Sequence, residues 1–179
     1  MSTTPWQTAE IPGPKRGLPI HRSETLISLL NNSKNLLLII GHRASEINLG
    51  NKKFIDYLID LACARRIPVV ATAHTIKALT NRGFQNASSM PLMDIANRLR
   101  DTEWRGLDGT GAYDLVLFAG FPYYMAWLVF SGLKHMSSQL KTISLDGQYQ
   151  PNASWSIQNV SPLELEKFFV NLLEKMGEM

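Results

Sequence analysis

The sequence predicts an α/β fold: a single-domain, doubly wound, mostly parallel Rossmann-like sheet. Three observations carry this expectation. Segments 35–41, 67–73 and 113–120 are strand-length runs rich in apolar residues, and 141–147 reads as a fourth strand. Runs of that kind suit strands buried on both faces, as in a parallel sheet. Segments of helical periodicity separate them, and strand–helix alternation with right-handed crossovers gives helices on both faces.

Taken in order, residues 1–22 form an extended N-terminal arm. Pro5, Pro12, Pro14 and Pro19 fix φ and remove amide donors there. Trp6, Ile11, Leu18 and Ile20 make the arm sticky, so it lies on its own domain or on a partner. The domain proper spans 23–179. Ser23 is placed to cap a first helix with Glu24 in its first turn. Asn35–Gly41 is the first strand, and 51–66 a helix bearing Phe54, Ile55, Leu58, Ile59, Leu61 and Ala62. The second strand is 67–73, with Pro68 near its start. A short helical turn at 75–80 and a longer helix from Pro91 to Arg100 follow. The third strand ends at Gly120, a helix runs from Phe121 to Met136, and the fourth strand ends at Gly147. Ser161-Pro162-Leu163-Glu164 is a capping box, opening a helix with Leu165, Phe168, Phe169, Leu172 and Met176 on one stripe.

Composition narrows the function. The chain has 179 residues, 45% hydrophobic and 18% charged, with a net charge of +3. That weak charge argues against a nucleic-acid protein driven by bulk electrostatics. The charge is uneven: residues 1–90 sum to +6 and residues 91–179 to −3. One cysteine excludes a disulfide framework and a self-contained four-cysteine metal or iron–sulfur site. Cys63, among Leu61, Ala62 and Ala64, reads as a buried inert thiol. Neither a secretory h-region nor a membrane span is expected, which makes the cytoplasm the natural compartment.

Ligands of open α/β sheets bind at the carboxyl ends of the strands. The candidate binding residues are therefore Gly41, His42, Arg43, His74, Thr75, Gly120 and Phe121, with Asp146-Gly147 on the fourth loop. No G-x-G-x-x-G or Walker pattern follows the first strand. Arg43 can grip a phosphate, and His42 and His74 can bind phosphate, move protons or cap helices. His21 and His135 lie elsewhere, so no metal site is expected. No nucleophile elbow and no cysteine-protease signature occurs, so no catalytic residue is assigned. The aromatic segment 121–127 suits core packing together with a protein interface, more than ring stacking. Trp6, Trp104 and Trp155 fall in segments expected to be loop or arm, which points to a partner or a homo-oligomer.

Two segments carry a resemblance. Thr8-Ala9-Glu10-Ile11-Pro12-Gly13-Pro14-Lys15 resembles the N-terminal arm of the ε subunits of archaeal carbon monoxide dehydrogenase/acetyl-CoA decarbonylase-synthase complexes. Leu145-Asp146-Gly147-Gln148-Tyr149-Gln150-Pro151-Asn152-Ala153 resembles that family's segment after the last core strand. Length and element order are similar too. The resemblance implies a six-stranded sheet like the FAD/NAD-binding central domain of thiamine-diphosphate enzymes. It implies an accessory subunit bound to a CO dehydrogenase α subunit in an α₂ε₂ assembly. The nickel–iron–sulfur clusters belong to the α subunit. The ε subunit either stabilises the assembly or helps pass electrons to FAD. A flavin- or nucleotide-binding electron-transfer module is the alternative function, with FAD as candidate cofactor.

Overall fold

The computed structural model describes residues 2–4, 13, 15–72 and 74–177. Trp6, Ile11 and most of the arm segment that carries the resemblance lie outside the described residues. The strands are β1 (Leu18–Ile20), β2 (Leu36–Ile40), β3 (Asn48–Leu49), β4 (Lys52–Lys53), β5 (Val69–Ala71), β6 (Ala87–Ser89), β7 (Leu115–Ala119), β8 (Lys141–Ser144) and β9 (Trp155–Ile157). The helices are α1 (Ser23–Asn31), α2 (Phe54–Arg65), α3 (Thr75–Thr80), α4 (Leu92–Arg100), α5 (Tyr123–Met136) and α6 (Pro162–Gly177).

Seven strands form one sheet in the order β1-β9-β8-β7-β2-β5-β6, and every pairing is parallel. Without β1, the six remaining strands have the 3-2-1-4-5-6 order of a doubly wound dinucleotide fold. The expected fold class is therefore the observed one. The centre is the β2–β7 pair, in register from Leu36↔Leu115 to Ile40↔Ala119. Leu37 and Ile39 face one side with Val116 and Phe118, and α4 and α5 cover them. Leu38 and Ile40 face the other with Leu115 and Leu117, under α1, α2, α3 and α6. This two-sided burial explains why both strands are continuously apolar. Aromatic rings fill each layer: Phe118 meets Phe130 edge-on at 4.9 Å, and Phe54 meets Phe169 at 5.4 Å.

Several details depart from the sequence reading. Ser23 does not cap α1; it is the buried first helical residue, and Arg22 occupies the cap. Cys63 is exposed, because α2 buries the face carrying Leu58, Leu61 and Ala62. Its neighbours on the chain are apolar, but its helical phase points outward. Trp155 lies in β9, half-buried, and Trp104 is half-buried against Tyr113 at 5.6 Å. Neither is a freely exposed loop aromatic. The capping box is present: the Ser161 amide donates to Glu164 Oε2 at 2.8 Å, and the Glu164 amide to Ser161 Oγ at 3.3 Å. Among the described residues, no helix is long and apolar enough to cross a membrane.

The end of the arm is built into the domain. Leu18–Ile20 extends the sheet along β9, with Pro19 blunting the free edge. The Gly17 amide donates to Pro151 O at 2.7 Å, and Tyr149 Oη donates to Gly17 O at 2.6 Å. A Cβ on Gly17 meets Ala153 O at 2.6 Å and Gln150 O at 2.9 Å. Backbone on both sides leaves no room for a side chain. Gly17→Ala therefore lowers unfolding stability by about 1–3 kcal/mol, the usual cost of overpacking. Urea denaturation checks this, and an unchanged midpoint contradicts the docked arm.

Candidate functional site

The carboxyl ends of β2, β7 and β8 meet at the point where strand order reverses, which is the usual ligand crevice of this topology. Here the crevice is drawn tight. The Gly41 amide donates to Ala119 O at 2.8 Å, and the Arg43 amide to Gly120 O at 3.0 Å. A Cβ on Gly41 runs into Gly120 O and the Phe121 ring. Gly120 has φ +75°, and a Cβ there meets Ala44 at 2.5 Å. Only glycine fits at either strand end. Phe121 is buried over this junction.

Asp146 holds the junction from β8. Its carboxylate accepts the Gly120 amide at 2.7 Å and also bonds the Phe121 amide. Burial pushes this carboxyl up to about 6, against the pull of those two amides and of Arg43. Arg43, Phe121 and Asp146 line a cleft of about 190 Å³ with Leu49, Gln148 and Leu165.

The segment after β2 is unlike a phosphate-binding turn. A 3₁₀ turn, His42–Ser45, follows β2 directly, and the β3–β4 hairpin delays α2 until Phe54. The α2 N-terminus is already occupied by its own chain. Asp56 Oδ2 accepts the Lys53 amide at 2.9 Å, and Ile47 O accepts the Phe54 amide at 3.0 Å. His42 is exposed beside the junction. His74 and Thr75 sit on the neighbouring strand end, after β5, because β2 pairs with β5. His74 is exposed, whereas Thr75 is buried with its hydroxyl unpartnered. Thus Gly41, Arg43, Gly120 and Phe121 form one cluster with Asp146, and His74 and Thr75 stand one strand away.

The cleft is smaller than the roughly 300–1,000 Å³ of sites that enclose drug-sized ligands. It does not fit a whole dinucleotide within this chain alone. Among the described residues, no group of three His, Cys, Asp or Glu side chains is placed to hold a metal ion.

The family model for the "CO dehydrogenase beta subunit/acetyl-CoA synthase epsilon subunit" matches residues 1–176. The chain belongs to this family. It is 31% identical over 172 residues to the acetyl-CoA decarbonylase/synthase complex subunit epsilon of Methanothermobacter thermautotrophicus, covering 96% of this chain and 93% of that protein. Subunit epsilon 1 of Archaeoglobus fulgidus is 34% identical over 160 residues, covering 88% and 83%. Subunit epsilon of Methanothrix soehngenii is 31% identical over 158 residues, covering 88% and 81%.

Within this ε-family chain, the sequence supplied the glycines, Arg43 and Asp146 of the junction. It did not reveal that the two glycines touch, since only strand order brings them together. One exposed stripe also comes from structure alone. Tyr124, Leu128 and Met136 stand about 60% exposed along α5, spaced by fours or multiples of four, with exposed Gly132 between them. Trp127 beside them is half-buried, and its indole N–H is buried without a partner.

Asp146 yields a pH prediction. A carboxyl raised in the folded state binds more protons there than in the unfolded chain. Wild-type stability from this group therefore falls as pH rises from about 4 to 6. Asp146→Asn keeps an acceptor for Gly120 but cannot ionise. Its stability gains on the wild type across that window, as denaturant titrations at pH 4, 5, 6 and 7 measure. Parallel curves contradict the assignment.

Proposed function

We propose that this chain is a non-catalytic subunit of an acetyl-CoA decarbonylase/synthase complex, bound to the CO dehydrogenase α subunit in an α₂ε₂ assembly that it stabilises. The observation that carries this reading is the apolar stripe of α5. Tyr124, Leu128 and Met136 face solvent in the free chain, and exposed apolar faces of this kind suit a protein partner. Family membership supports a partner within that complex, since the relatives are named as its subunits. The closed junction at the sheet crest agrees with a role in binding rather than turnover.

Leu128→Glu places a charge in the centre of this stripe. It weakens co-purification with the CO dehydrogenase α subunit by at least tenfold, while the free chain keeps its melting temperature. Undiminished assembly removes α5 from the interface.

A second reading, assistance to electron transfer through FAD, has one supporting observation. Arg43 faces a cleft at the switch point, where this topology places dinucleotides. A flavin site would then be completed by the partner surface. Flavin fluorescence quenching in the assembled complex, and its loss in Arg43→Ala, supports the reading. Equal FAD binding by both proteins refutes the role of Arg43.

A further inference from the structure

The opposite end of the sheet carries a second groove. The amino-terminal ends of β1, β8 and β9 border a groove of about 560 Å³, away from the crest. Lys15, Arg16, Lys134 and Lys141 line it, and no carboxylate does among the described residues. These cations come from the arm, from the last turn of α5 and from the start of β8. Folding gathers them from chain positions 126 residues apart.

Lys134 is fixed among them by two hydrogen bonds. The Lys134 ammonium donates to Lys15 O and to Asn152 Oδ1, the latter at 3.3 Å. Burial, then the neighbouring Lys15 charge, lowers the Lys134 pKa. Like charges gathered along one groove repel, and an anion in the groove would offset that repulsion. Asn152 adds an independent sign. The residue is 3% exposed and lines the groove, and with Oδ1 engaged by Lys134 its buried Nδ2 has no hydrogen-bond partner. A buried amide donor without an acceptor is costly unless a ligand supplies one. Leu18, which is 58% exposed, and its register partner Trp155 give the groove an apolar wall.

We propose that this groove binds a small phosphate-bearing molecule of nucleotide size, its phosphates held by Lys15, Arg16, Lys141 and the Asn152 amide and its organic part against Leu18 and Trp155. Charge-assisted hydrogen bonds to phosphate oxygens suit this donor set. The volume lies within the range of small-molecule sites. A purely acidic protein segment would meet the charge and the amide but leave the apolar wall without a purpose.

The test is calorimetry of the full chain with inorganic pyrophosphate and with ADP at low ionic strength, where surface attraction is least screened. One saturable site per chain is expected, with ADP binding more tightly than pyrophosphate. The double variant Arg16→Gln/Lys141→Gln weakens both ligands at least tenfold. Asn152→Asp keeps an acceptor for Lys134 but adds a negative charge, and it abolishes binding. Circular dichroism and melting temperature confirm that each variant folds. Absence of saturable binding overturns the proposal, as does binding that both variants leave unchanged. Tighter binding of a poly-glutamate peptide than of ADP also overturns it, in favour of an acidic protein surface.

Discussion

The β2–β7 pair is the constraint on which the remaining structure depends. Both strands are buried on both faces, so neither can slip by one residue without exchanging the residues that face each layer. A carboxylate ties the pair at its start, and backbone bonds tie it at its finish. At its start, Asp114 accepts the Lys34 and Asn35 amides at 2.8 and 2.9 Å. At its finish, the Gly41 amide donates to Ala119 O and the Arg43 amide to Gly120 O, while Asp146, just past β8, accepts the Gly120 amide and ties the β7 exit to the next strand. The glycines at the finish let the two chain exits touch. The same contact that fixes the register therefore closes the crevice that this topology usually leaves open for a ligand.

That closure shapes the functional account. An open dinucleotide site needs a helix start at the end of the first strand, with free amides aimed at phosphate. Here a 3₁₀ turn and the β3–β4 hairpin intervene, and α2 spends its first amides on Asp56 and Ile47. The surface features that remain lie along α5, which runs from the crest at Tyr123, and at the lower edge of the sheet. The fold is that of a nucleotide-binding domain, but fold alone assigns no activity. Family membership and the α5 stripe together support an assembly role.

Legibility in the sequence followed burial. β2, β5 and β7 were evident because central parallel strands are apolar at every position, and β8, Lys-Thr-Ile-Ser, was placed by the strand–helix alternation and the glycine after it. β6 was not, because Ala-Ser-Ser at a sheet edge has neither apolar alternation nor bulk. β1 and β9 were hidden by Pro19 and by an interrupted apolar pattern around Trp155. Cys63 was misplaced because its chain neighbours are apolar, whereas helical phase decides exposure. Of the crest residues, Arg43 and Asp146 were visible as charges next to strand ends. The lower groove had no sequence signal of its own. Its Lys15 and Asn152 belong to the two segments that carry the family resemblance, and only the docking of Gly17 on Pro151 shows why they meet.

The central claim is that α5 is the face this chain presents to a larger subunit. Hydrogen–deuterium exchange of the chain, free and bound to the CO dehydrogenase α subunit, tests it most directly. The account predicts slowed exchange across 123–136 in the complex, while the β2 and β7 amides, already protected by the sheet, do not change. Unchanged exchange along α5, with protection appearing on another face or nowhere, would contradict it.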